Sequence, residues 1–419
     1  TTLAAGSPAR RHPHRRRPLQ SLRPTSFAMS AAASPQLGAA ASKPRCFAFV
    51  FPMASGHINP SLPIARALVK LGHEVHYLCR EQMREAIEDT GATFHSDLEN
   101  EPEMYSGREP SLYAALDDLK KEHGLADAGM MAALGRLREI CIELMLPGLL
   151  RWLRMLRPSA VVYCPLMNPE APAAAKVLGI PRVSVLTTAG PGSVAKMIAE
   201  LLAVEGLAPG DVVEMRRAFQ PLRDCFERVK GEYGLEFQAG SLYEPVGRTE
   251  AIIDSDLNLV TTCEALQDPM PSELARLYED LSVKFVYVGP LLDAQGACRA
   301  AGHKYHMEEE QRGDFDEQQD AVALVKASRA AGRKVVLASM GTVITGDSMD
   351  YGWDARLRGA DGQRKGLTGR ELCQAAWGAA FDAFGAEGLE EGPLLLVALG
   401  SQPNALGALA VPPNAVCMP

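Results

Sequence analysis

From residue 46 onward, two spacings of apolar residues alternate along the chain. Residues 46–51 form a short continuous apolar run, which predicts a strand buried on both faces. The segment Pro52-Met53-Ala54-Ser55-Gly56-His57 reads as a loop. Beyond it Leu62, Ile64, Ala65, Leu68, Val69 and Leu71 recur at helical spacing. Asn59 is the predicted N-cap of that helix and Pro60 stands in its first turn. Gly72 closes the helix and residues 73–79 alternate as a second strand, so the three elements make a βαβ unit. Further strands are predicted at 160–163, 182–186, 258–262 and 284–288, with helices between them that include 131–156 and 172–178.

A second series follows. Residues 293–317 are polar and acidic and read as a linker, after which the pattern predicts a helix at 320–331 and a strand at 334–339. A polar loop, 343–367, is unusually long for an α/β connection. It leads to a helix at 369–384, with Thr368 and Glu371 as a T-x-x-E capping box, and to a strand at 394–399. Residues 411–419 read like the start of another strand and loop. Strands alternating with helices predict an α/β fold with doubly wound parallel sheets.

Composition narrows the class. The net charge of −8 is the sum of two unlike parts. Residues 1–45 carry eight basic residues and no acidic one, leaving 35 basic against 51 acidic residues, or −16, over the rest. An acidic body excludes a general nucleic-acid binder, because phosphate contacts need clustered Lys and Arg. No apolar run reaches the roughly 18–20 residues that span a bilayer. The most apolar stretch, 141–150, is interrupted by Glu143 and Pro147. The nine cysteines are scattered without a C-x-x-C pair, which points to reduced thiols and a cytoplasmic chain. The Arg-, Ala-, Ser- and Pro-rich residues 1–45 have the composition of a disordered tail or of a transit peptide, which would address the protein to a plastid or other organelle. Residues 1–28 also read as upstream sequence ahead of Met29.

Candidate chemistry centres on the first βα loop, at the carboxyl end of a strand, where open α/β sheets bind ligands. With Gly56 as its one glycine it is not a G-x-G-x-x-G dinucleotide fingerprint, which disfavours an oxidoreductase. It presents His57 instead, whose imidazole can be neutral near pH 7 and accept a proton. Asp254-Ser255-Asp256 is a D-x-D that precedes an apolar strand and reads as the polar approach to it. Cys298, His303 and His306 have ligand chemistry but no fourth partner at a metal-binding spacing. No metal is expected.

The stretch Phe49-Val50-Phe51-Pro52-Met53-Ala54-Ser55-Gly56-His57-Ile58-Asn59-Pro60, continued by Leu62-Pro63-Ile64-Ala65-Arg66-Ala67-Leu68 and Gly72-His73-Glu74-Val75, resembles the opening of UDP-glycosyltransferases of the GT-B fold, in their macrolide-glycosyltransferase-like branch. Leu178-Gly179-Ile180-Pro181, Leu259-Val260-Thr261-Thr262-Cys263-Glu264-Ala265-Leu266, Val288-Gly289-Pro290-Leu291 and Val335-Val336-Leu337-Ala338-Ser339-Met340-Gly341-Thr342 follow in the family's order. The resemblance implies two Rossmann-like domains: an acceptor domain at 46–291 and, after a linker at 292–318, a donor domain at 319–419 that is incomplete in this chain. It implies a monomeric, inverting hexosyltransferase that takes a UDP-sugar as co-substrate and a small lipophilic acceptor, with no cofactor. His57 would be the catalytic base, Gly56, Asn59 and Asn168 acceptor-binding residues, and Ser339, Gly341 and Thr342 donor-binding residues. Two departures stand out. Cys164 occupies the place of the family's orienting Asp, and the His-Cys-Gly or His-Gly-Gly donor signature is absent. A non-catalytic, acceptor-binding protein is the alternative that these departures imply.

Overall fold

The structure, a computed structural model, describes residues 43–418 apart from 239, 245–246, 292–320, 347–351, 359–362 and 401. The basic tail ahead of residue 43, the acidic linker, and the Cys298, His303 and His306 set lie outside the described residues. Residues Pro44–Pro419 form one compact unit.

Seven parallel strands make the first sheet, in the order β3-β2-β1-β4-β5-β6-β7. They are β1 (Cys46–Val50), β2 (Glu74–Cys79), β3 (Thr93–Ser96), β4 (Ala160–Tyr163), β5 (Arg182–Leu186), β6 (Leu257–Val260) and β7 (Phe285–Tyr287). The chain winds outward from β1 to β3, returns to β4 on the other side of β1, and then proceeds to β7. Side chains alternate across the pleat. Ala48, Val50, Leu78, Val161 and Tyr163 belong to one core with the 27-residue helix Met130–Leu156. Phe49, Phe51, Tyr77, Val162 and Cys164 belong to the opposite core with Leu62 and Ala65 of the helix Leu62–Lys70. Burial on both faces is why these strands read as continuous apolar runs.

The second sheet is parallel with order β12-β11-β8, from β8 (Val335–Ser339), β11 (Leu394–Ala398) and β12 (Ala415–Met418). The start of a strand read at 411–419 is β12, paired in parallel with β11. The helix Gly369–Phe384 brings Cys373, Trp377 and Phe381 into a core with Leu395 and Val397. Its capping box is formed. Glu371 N donates to Thr368 Oγ1 at 3.1 Å, and Thr368 N donates to Glu371 Oε2 at 2.7 Å.

Three local readings change. The chain turns helical at Ser55 rather than after Asn59, running as Ser55–Ile58, a tight 3-10 turn Asn59–Ser61, and Leu62–Lys70. Asn59 is therefore inside the run, at φ −53° and ψ −42°, and closes the helix Ser55–Ile58 instead of N-capping the one that follows. Pro60, lacking an N–H, falls in the 3-10 turn that interrupts the ladder. Strand β3 escaped the sequence reading because its four residues hold one large apolar side chain, Phe94. Within the long polar loop, the end of the helix Gly341–Ile344 and an antiparallel hairpin, β9 (Leu357–Arg358) with β10 (Arg364–Lys365), are formed.

Candidate functional site

The order of strands splays two loops apart. After β1 the chain leaves towards β2, and after β4 it leaves towards β5, so a crevice opens beyond the carboxyl ends of β1 and β4. A cavity of about 420 Å3 occupies this position. It draws residues from beyond the carboxyl ends of five strands: His57 after β1, Arg80 after β2, Asp97 after β3, Asn168 and Glu170 after β4, and Thr187 after β5. Its remaining wall is largely apolar, with Met130, Met131, Ile142 and Met145 from the long helix and Met197 and Ile198 from the helix Ser193–Val204.

His57 sits in the first turn of the helical run. Its backbone N–H donates to Ala54 O at 2.9 Å and its side chain is half-buried. Nδ1 lies 3.2 Å from Cys164 Sγ and 3.3 Å from Thr187 Oγ1. Cys164, the first residue after β4, is fully buried, and burial pushes its thiol up to about 12. It is a neutral thiol at physiological pH. The residue at the place of the orienting acid thus contacts the ring, but as an uncharged partner. Thr187 was missed from sequence. The signal was its position directly after a strand, at the same carboxyl edge of the sheet as the loop that holds His57.

The cavity wall also holds a polar group that, Asn168 apart, sequence reading missed. Arg80 Nε donates to Asp97 Oδ1 and Oδ2 at 3.1 and 2.9 Å, and Arg80 Nη2 donates to Tyr105 OH at 3.2 Å. Glu170 opens the helix Glu170–Leu178 and is 3% exposed; its Oε1 accepts from Asn168 Nδ2 at 2.9 Å. Burial pushes its carboxyl up to about 7. Asn168 Oδ1 is buried without a hydrogen-bond partner. Glu101, also 3% exposed, is driven well above the usual carboxylate range by burial and then by the nearby Glu170 and Asp97.

Of the residues anticipated from sequence, the cavity brings together His57, Gly56 and Asn168. Asn59 is not in its wall, and the Asn59 Oδ1 is buried with no partner. Ser339 ends β8 in the second sheet, and Gly341 lies two residues on, after Met340. Ser339 Oγ accepts from Gly341 N at 3.4 Å, and Gly341 holds φ +73°. The side chain of Thr342 lies outside the described residues. The D-x-D carboxylates serve as structural anchors: Lys176 Nζ reaches Asp254 at 3.2 Å, and Asp256 Oδ2 accepts from Arg182 N at 2.8 Å. Among the described residues, Cys46, Glu74 and His76 bring ligand-type atoms within 4.8 Å of one another on β1 and β2. None of the three lines the cavity.

No protein-family model matches the chain. A stretch of 42 residues, 10% of the chain, is 44% identical to an uncharacterized UDP-glucosyltransferase, YdhE, of Bacillus subtilis (strain 168), and covers 11% of that protein. Solved structures with a similar course include CalG4, the calicheamicin glycosyltransferase, at 15% identity and TM-score 0.49, over 90% of this chain and 71% of that one. They also include the glycotransferase of kitacinnamycin, at 19% and 0.47 over 90% and 71%, and SnogD from Streptomyces nogalater, at 16% and 0.41 over 90% and 72%. The sequence likeness, short as it is, is to a UDP-glycosyltransferase.

Proposed function

We propose that this protein is a glycosyltransferase of the UDP-glycosyltransferase family with a GT-B architecture, moving a hexosyl group from a UDP-sugar to a hydroxyl of a small lipophilic acceptor with inversion. The observation that carries the reading is His57 in the wall of a largely apolar cavity at the β1/β4 crevice, its Nδ1 occupied by Cys164 and Thr187. With Nδ1–H donating to one of these, Nε2 is the nitrogen that takes a proton. The acceptor O–H gives its proton to Nε2 as the oxygen bonds to the anomeric carbon, and the bond from that carbon to the phosphate oxygen breaks, its electron pair leaving with UDP. An alcohol is a weak nucleophile without such a base. In this reading residues 46–291 are the acceptor domain, and Ser339, Gly341 and Thr342 of the domain at 319–419 face the donor phosphates, without a metal.

A second reading, a non-catalytic acceptor-binding protein, is favoured by one observation: the partner of His57 is an uncharged thiol, which cannot stabilise an imidazolium as a carboxylate does. One experiment separates the two. The full chain is incubated with UDP-glucose and a panel of phenolic and sterol-like acceptors, and product and UDP are measured. The enzyme reading requires turnover that His57→Ala lowers by about 10²–10⁴-fold. Acceptor binding with no UDP-sugar binding and no turnover would establish the second.

A further inference from the structure

The cavity has an electrostatic asymmetry that a purely lipophilic acceptor would not use. Its wall holds three carboxyl groups, Asp97, Glu101 and Glu170, against two guanidinium groups, Arg80 and Arg138. Arg80 is consumed by Asp97 and Tyr105. Arg138 then stands against two carboxyls, and it is shared with Glu139 at 4.0 Å. Setting aside His57, the cavity therefore has one carboxyl more than its cations can balance.

Glu101 is the group left over. It is 97% removed from solvent, and the cation that acts on it, Arg80, is already hydrogen-bonded to Asp97. Burying an acid in that state is costly, so such groups ordinarily have partners. Its placement is enforced by packing. The backbone of Asn100 and Glu101 lies directly against Gly148 of the long helix, where a side chain would collide with Asn100 O. Asn168, which donates to Glu170, has in its Oδ1 a buried acceptor without a partner. Both are acceptors, and both line the cavity.

We propose that this end of the cavity is a subsite for a protonated amine, so that the acceptor is a lipophilic alcohol or phenol that also carries an ammonium group. An ammonium has three N–H donors and no acceptor, which matches the carboxyls of Glu101 and Glu170 and the orphan Oδ1 of Asn168. Its charge draws the raised carboxyls of Glu101 and Glu170 towards their ionised form, while the methionine-lined wall takes the hydrocarbon body. The inference rests on reading the cavity as the acceptor pocket and specifies the acceptor's class.

The test is equilibrium binding by calorimetry on the full chain, with no donor sugar present. The probes are p-(aminobutyl)phenol and p-pentylphenol, in which a methyl replaces the ammonium. The amine is expected to bind about tenfold tighter or better. Glu101→Gln keeps the shape and removes a buried acid, so it is expected to fold; it should erase that preference and leave p-pentylphenol within about threefold. Glu170→Gln should weaken the preference in the same direction. Equal or tighter binding of p-pentylphenol, a preference that survives in both variants, or binding of neither probe overturns the proposal. Because no sugar is transferred in the measurement, its outcome is independent of the reaction. Amine-selective binding without turnover would fail the enzyme reading alone, and turnover of neutral phenols without amine selectivity would fail this inference alone.

Discussion

The Sγ of Cys164 lies 3.2 Å from Nδ1 of His57, the position from which a carboxylate would orient the ring and hold its charge. A buried thiol pushed up to about 12 orients without charge. Where sugar transfer is assayed, His57→Ala is expected to lower kcat by about 10²–10⁴-fold with little change in acceptor affinity, because a base acts in the transition state. Cys164→Asp is expected to raise kcat or leave it unchanged. Turnover within a few-fold of wild type in His57→Ala would place the base elsewhere, and a large loss in Cys164→Asp would assign Cys164 to packing.

Glu170 gives stability a pH dependence whose sign is fixed. Burial raises its carboxyl to about 7 in the folded chain, so the folded state holds the proton more tightly than the unfolded state. That contribution is fully present below the ordinary carboxylate value of about 4.3 and is lost as pH rises to about 7, an effect of about 4 kcal/mol. Glu101 acts in the same direction. Urea unfolding at about pH 5 and about pH 8 should show wild type weaker at the higher pH, with the difference reduced in Glu170→Gln and the part due to Glu101 remaining. An unchanged difference in the variant would trace the slope to other groups.

The fold was legible where one local rule dominated. The parallel strands 160–163 and 182–186 were read to the residue: the first is an uninterrupted apolar run buried on both faces, and the second, Arg182-Val183-Ser184-Val185-Leu186, is a short β-branched segment between helices. The helix beginning at Gly369 was fixed by its capping box. The start of the first helix was not legible, since Asn59-Pro60 imitates a cap and the earlier turn at Ser55 has no side-chain cap to announce it. In the site, His57 could be found because it follows a strand inside a contiguous motif. Thr187, Glu101 and Glu170 converge on the cavity from segments 44 to 130 residues away from His57. No spacing encodes that convergence; it is set by the order of strands.

A second buried charge tests how the helical layer is held. Arg216 Nη1 lies 2.9 Å from Glu139 Oε2, with the two side chains 2% and 7% exposed. Removing one partner leaves a buried uncompensated charge, so Arg216→Ala or Glu139→Ala is expected to cost about 3–5 kcal/mol. Replacing both by methionine should cost far less, because the desolvation cost disappears with the attraction. Denaturant midpoints of the three variants decide it: a double variant as unstable as the single ones would mean that the pair, and not the lone charge, carries the stability.

The same substitution at two helical glycines should have opposite signs. Gly231, exposed in the helix Gln220–Tyr233, has nothing within 4 Å of the place a Cβ would take. Gly231→Ala there gains helix propensity, about 1 kcal/mol. Gly148 gains the same propensity in principle, but its Cβ would lie 2.9 Å from Glu101 Cα and closer still to Asn100 O, both backbone atoms. Overpacking of that kind costs about 1–3 kcal/mol, so Gly148→Ala should be net destabilising or force the segment outward. Outward movement carries Glu101 away from the cavity. Gly148→Ala should therefore weaken p-(aminobutyl)phenol more than p-pentylphenol, while Gly231→Ala alters neither. Thermal melts and the binding measurement on both variants check the two halves. A stabilised Gly148→Ala with intact amine binding would show that the helix and the Glu101 segment separate without consequence, which the close approach of Gly148 to Asn100 argues against.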